Sequence, residues 1–339
     1  MKLFRGSFIV TLFALIIAFI YGGWNGLFVT FILAVLEISL SIDNAIVNAR
    51  ILERMSPAWQ KMFLTVGILI AVVGMRLIFP LLIVGVSAHI DPISALRLAL
   101  AKGDPQVMGT YGYILHHAHP QIAAFGGMFL LMLALGFFFD QRAYTWLKLP
   151  EKLLQRIGHF PAANAIISLG LLLLVSETLA VESHTILFAG CLGILTFLLV
   201  DGFGDMMSHS KAASTTNFII ATGKAGFALF LYLEVIDASF SFDGVIGAFA
   251  ITSDPIIILL GLGVIGAMFV RSLTLYLVKK GTLNELVYLE HGAHWAILTL
   301  AILILASIKW EIGDVITGLI GAVIIGLSFT SSIVYNRRH

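Results

Sequence analysis

The sequence predicts an all-α membrane protein: about ten transmembrane helices in an inverted repeat of five plus five. Three observations predict it. The chain is 59% apolar and only 12% charged, about half the charged share of a soluble protein. Apolar runs near the roughly 20 residues that cross a bilayer recur from end to end. One short acidic stretch also occurs twice, at Glu37 and again at Asp237.

The spans fall at roughly 6–22, 26–49, 63–86, 120–139, 162–181, 185–202, 221–250, 256–278, 292–308 and 312–334. The first follows Lys2 and Arg5 and mimics a signal peptide, but Gly22-Gly23-Trp24-Asn25 is no cleavage site, so it reads as a retained span. The chain divides into a first repeat, 1–182, and a second, 183–339, within one membrane domain. The midsection from Leu149 to Pro161 reads as a short basic loop, and no soluble domain is visible.

Cations set the orientation. Lys2, Arg5, Arg50, Arg54, Lys61, Arg142, Lys148, Lys152, Arg156, Lys211, Lys279, Lys280, Arg337 and Arg338 all fall on one side of ten spans. The other side holds little beyond Arg97, Lys102 and Lys309. Both termini are therefore expected in the cytoplasm. A net charge of +1 with no basic cluster argues against nucleic acid as a partner. The single cysteine, Cys191, excludes an internal disulfide and a thiolate cluster.

The repeated stretch reads Glu37-Ile-Ser39-Leu-Ser41-Ile-Asp43-Asn44 in the first half and Asp237-Ala-Ser239-Phe-Ser241-Phe-Asp243-Gly244 in the second. Carboxylates at membrane depth are costly and mark function by default. On an unbroken helix, positions six apart lie about 120° apart, so Glu37 and Asp43 would not share a face. Local unwinding at the serines would let carboxylates and freed carbonyls converge, as transporters do to hold cations. The run from Asn217 to Ala250 would rise about 50 Å as one helix, so a break or an interfacial lead-in is expected there.

Other landmarks repeat in the same order. Arg76 in span three matches Arg271 in span eight. Tyr113-Ile-Leu-His116-His-Ala-His119 matches Tyr288-Leu-Glu-His291-Gly-Ala-His294. Matched spans are an odd number apart, so the halves face opposite ways.

Glu37, Asp43, Asp237 and Asp243, with Glu234 a turn before Asp237, are the strongest chemical signal. Serine hydroxyls, the Asn44 amide and carbonyls complete a set of hard oxygen donors. That set suits Mn²⁺, Mg²⁺ or Ca²⁺ better than Cu⁺ or Zn²⁺. Four carboxylates cannot stay ionised together in a low-dielectric site without a cation or protons, so protons and metal would compete. The plainer alternative is a polar network that packs two helices, which would need neither the doubling nor so many carboxylates. Arg76 and Arg271 need partners at membrane depth, and the motif acids are the expected ones. They serve as structural counter-charges or as a moving tether, the structural role being preferred. His116 and His291 are candidate ligands or proton relays, whereas His119 and His294 read as headgroup-level residues. Gly74, Gly261, Gly263 and Gly266 are expected to allow close helix packing. No hydrolase or ATPase motif occurs.

The S-x-S-x-D-N and S-x-S-x-D-G pair, with an acid six positions before each Asp and an arginine in the following span, resembles the TerC-type integral membrane proteins. It resembles most a TerC-like subgroup catalogued as a domain of unknown function. The resemblance covers roughly Gly26 to Ala306. The family is named for tellurite resistance and is associated with export of manganese and related divalent metals. It implies Glu37, Asp43, Asp237 and Asp243 as metal ligands. Asp237 departs from the usual Glu, and the loop from Ser87 to Met108 looks long.

The resulting expectation is a secondary transporter, not an enzyme, that exports a divalent metal, Mn²⁺ first, across the bacterial inner or plasma membrane. Alternating access would run around a midplane site, with protons as counter-ion. The rival is a membrane scaffold or metal-loading partner, of tellurite-resistance type, that binds metal without net transport. An intramembrane metalloenzyme is disfavoured, since no nucleophile or general base stands apart from the ligands. The expected partners are the cation and the bilayer, with room for a homo-oligomer or a membrane-protein partner.

Overall fold

The computed structural model describes residues 4–40, 42–78, 81–82, 84–85, 90–101, 106–180, 182–209, 220–252, 254–280, 286–310, 312 and 314–338. Within those helices the side chains at 36, 39–40, 43, 75, 200, 203–209, 238–247, 249–251, 279–280, 314–318 and 338 lie outside the described residues. The described residues are helical, with no strand beyond one isolated bridge between Met55 and Ala221. Among the described residues, six helices are long and apolar enough to cross a membrane, or seven if one bent pair counts as a single span. They fit an integral membrane protein.

Helix α1 (Arg5–Leu40) is two limbs joined at Gly23, whose φ of 61° and ψ of −150° suit glycine alone. A carbon added at Gly26 would lie 2.6 Å from the Ala18 carbonyl oxygen. Eight residues of straight helix would separate them by about 12 Å, so the limbs fold back on each other. Phe19 and Trp24 meet edge to face across the turn, 5.1 Å between centroids. The first two predicted spans thus form a hairpin. After α2 (Ile42–Leu52) comes α3 (Pro57–Met62), which continues as wider π-helix at Phe63–Gly67 and Ile70–Ile78.

The loop expected between Ser87 and Met108 contains a short helix, α4 (Pro92–Leu100). Asp91 caps it by accepting from the amides of Ile93 and Ser94 at 3.0 and 3.1 Å. Helix α5 (Tyr111–Phe139) starts nine residues before the predicted span because Pro120 lies inside it. Neighbouring helices tolerate such a proline at membrane depth. The predicted midsection loop is also helical: α6 (Lys148–Gly158) turns by 102° into α7 (Ala163–Thr178). Pro150 falls in the first turn of α6, where its missing N–H costs nothing.

Helices α8 (Ser183–His209) and α9 (Gly223–Ile251) follow. Helix α9 is continuous, so the break expected near Asp243 is not found. Its length is accommodated instead by a start at Gly223, after an extended lead-in. Helix α10 (Pro255–Ile258) widens to π-helix at Leu259–Gly266 and passes into α11 (Ala267–Lys280). Helices α12 (Leu289–Ala306) and α13 (Asp314–Arg338) complete the chain. Where they are described, the ten predicted apolar segments are mainly helical.

The main core joins Met128, Phe129 and Met132 of α5 to Leu172 of α7, Phe197 of α8, Leu233 of α9 and Ile297 of α12, all buried. A second cluster packs both limbs of α1, through Ala14, Ala18 and Leu33, against Ile257, Leu262 and Ile265. Gly261 allows that approach, since an added carbon would meet Leu33 at 2.8 Å.

Candidate functional site

The site begins with an ion pair. Glu37, on the second limb of α1, accepts from Arg76 Nη2, and both side chains are nearly sealed from solvent. Arg76 Nη1 donates to the Ala71 carbonyl at 2.9 Å, which turns the guanidinium inward. Gly266 makes the pair fit, because a side-chain carbon there would overlap Glu37. A reciprocal contact lies on the other motif helix, where Glu234 of α9 packs against Gly67. Each acidic helix thus seats a carboxylate on a glycine of the arginine-bearing span of the other half. Both of those spans widen to π-helix there, a distortion frequent at functional sites.

These elements line a small cavity of about 30 Å³. Its polar wall is Asn44 and Asn48 of α2, Arg76, Asp237 of α9, and Arg271 and Thr274 of α11. The volume is enough for a water molecule. The Asn48 amide hydrogen-bonds Asp237, and Arg76 and Glu37 lie within electrostatic reach of the same carboxyl. Glu234 and Asp237 are neighbouring acids on α9. Nε of Arg271 and the carbonyl oxygen of Asn48 have no hydrogen-bond partner among the described residues. Such groups can take a ligand or a water.

Of the residues singled out from the sequence, Glu37, Asn44, Asp237, Arg76 and Arg271 come together, with Glu234 beside them. Ser39, Ser41, Asp43, Ser239, Ser241 and Asp243 lie outside the described residues. Among the described residues no three His, Cys, Asp or Glu side chains form a metal-holding group. His116 is exposed on α5 and His291 is buried beside Glu151, so neither lines the cavity. His294, expected at headgroup level, is buried and stacks on Phe137 at 3.7 Å. Asn48 and Thr274 escaped the sequence reading. The signal for Asn48 was its spacing of four from Asn44, which puts both on one helix face.

A second, open cleft of about 670 Å³ lies on the other side of α2. Val47, Arg50, Ile51 and Arg54 line it, with Arg142, Asp140 and Glu290 opposite. Arg50 holds Glu290 through Nε and Nη2 at 2.8 and 2.7 Å. Asn44 and Asn48 face the small cavity from the same helix, so α2 is the wall between the two spaces. Just past α2, burial pushes the Glu53 carboxyl up, against the opposing pull of Arg50.

A family model described as "Protein of unknown function (DUF475)" matches residues 42–339. No curated protein and no solved structure matches the chain.

Proposed function

Because the chain belongs to the DUF475 family, whose description assigns no activity, we propose its function from its residues: a secondary transporter of divalent metal cations, Mn²⁺ first, of the TerC type. One observation carries the reading. Acids from both motif helices, Glu37 and Asp237, meet with Asn44, Asn48, the buried Arg76 and the half-buried Arg271 around one small cavity. A polar network that only packed helices would not need two arginines and two repeated acidic motifs at one buried point.

In this reading Glu37, Asp43, Asp237 and Asp243 bind the dication, with Asn44, Ser39, Ser41, Ser239 and Ser241 as further oxygen donors. Arg76 holds Glu37 while no cation is bound, and protons or metal displace that hold by competing for the carboxylates. The two halves, 1–182 and 183–339, form an inverted repeat with both termini in the cytoplasm of a bacterial cell. The doubled acidic motif and the matched Arg76 and Arg271 support that symmetry. The open cleft beyond α2 would serve as the cytoplasmic vestibule.

The test is Mn²⁺ flux in reconstituted vesicles, comparing the parent with Asp43→Asn, Asp243→Asn and Glu37→Gln. Flux lost in all three, with the proteins still folded, is the expected result. Mn²⁺ bound by the parent without net flux would instead favour the metal-loading scaffold.

A further inference from the structure

Helix α6 carries an unusual arrangement of side chains. Lys148, Lys152 and Arg156 are spaced by four and exposed, forming one stripe. Leu149, Leu153 and Ile157 form a second stripe beside it and are also exposed, at 87%, 57% and 37%. Residues four apart drift by only about 40° round a helix, so each set stays on one line. The third edge faces the protein. Glu151 is buried there, accepting from Trp295 Nε1 at 3.0 Å and lying 2.9 Å from His291 Nδ1 of α12. Gly158 packs against Phe139 at the far end.

The direction of the helix matters as much as its faces. Helix α6 meets the apolar helix α7 at 102°, across a corner where Ala162 takes a left-handed conformation with φ of 55°. If α7 crosses the bilayer, α6 lies along its surface. A helix in that plane with one apolar line, one cationic line and one edge held by protein has the form of an interfacial anchor.

We propose that α6 is a binding surface for anionic phospholipid. Lys148, Lys152 and Arg156 engage headgroup phosphates while Leu149, Leu153, Ile157 and the exposed Phe160 enter the acyl boundary. Charge complementarity selects this occupant. Three cations on one line with no acid among them match an anionic lipid layer, and the adjacent leucines would be a liability in water. The Glu151 contacts tie the surface helix to α12, whose Glu290 is held by Arg50 of α2. Lipid engagement therefore bears on the wall of the cavity. The proposal does not depend on which ion, if any, that cavity carries.

The experiment measures phosphatidylglycerol and phosphatidylcholine binding to the full-length protein, parent against Lys148→Gln/Lys152→Gln/Arg156→Gln. The parent is expected to prefer phosphatidylglycerol, and the triple variant to lose affinity for it on the order of a hundredfold, as three surface charges imply. Lys148→Arg/Lys152→Arg should keep the preference. A nitroxide at Leu153→Cys, in a Cys191→Ser background, should sit at the headgroup–acyl boundary in vesicles. An unchanged preference in the triple variant, or a Leu153 label open to water in lipid, would overturn the proposal.

Discussion

Glu37 and Arg76 form an ion pair whose side chains are only 5% and 4% exposed, joining the first acidic motif helix to the following span. Removing one member of a buried pair leaves the other charge uncompensated. Glu37→Gln or Arg76→Gln should each cost about 3–5 kcal/mol. The double variant Glu37→Met/Arg76→Met should recover much of that loss. Thermal unfolding in detergent reads the series. Additive losses in the double variant would mean that the two side chains do not depend on each other.

Gly266 gives Glu37 its space. Gly266→Ala should push that side chain out of place and destabilise the protein by about 1–3 kcal/mol, as overpacking does. Gly170, with nothing within 4 Å, is the control, and its alanine variant should be tolerated. Equal melting temperatures for the two variants would contradict the close packing.

Glu151 accepts from the amides of Trp146 and Leu147 at 3.1 and 3.0 Å, and from the Trp295 indole. Glu151→Ala strands all three donors and should cost about 3 kcal/mol or more. Glu151→Gln keeps an acceptor and should lose less. Trp146 and Trp295 fluorescence would report the change, and identical spectra for both variants would exclude the clamp.

Hydrogen bonds from Ser94, first its hydroxyl and then its amide, hold the Asp91 carboxyl below the usual carboxylate range. The folded value thus lies under the unfolded one. The cap is fully formed above about pH 4 and is lost as the pH falls through the folded value. Amide protection in Pro92–Leu100, taken relative to the intrinsic exchange rate at each pH, should fall on acidification and fall at neutral pH in Asp91→Ala. Protection indifferent to both changes would remove the cap from the account.

Much of this is legible in the amino-acid sequence. An arginine inside an apolar run must find an acid, and that demand anticipates the Arg76–Glu37 pair. Glycines at Gly22 and Gly23 between two apolar runs mark the hairpin of α1. Helix α6 was concealed by its charge and by Pro150, although its two lines of spacing four were present. Asn48 and Thr274 are single polar residues whose role arises only from what faces them. The π-helical stretches have no sequence signal, because one extra residue per turn leaves an all-apolar run equally apolar.

The thinness of α2 has a further consequence. Val47 and Asn48 are chain neighbours, yet one borders the large cleft and the other the small cavity. A twist of that helix by one residue's step, about 100°, would bring Val47 to the place Asn48 holds. The turning of a single short rod would thereby swap a polar lining for an apolar one on the small-cavity side.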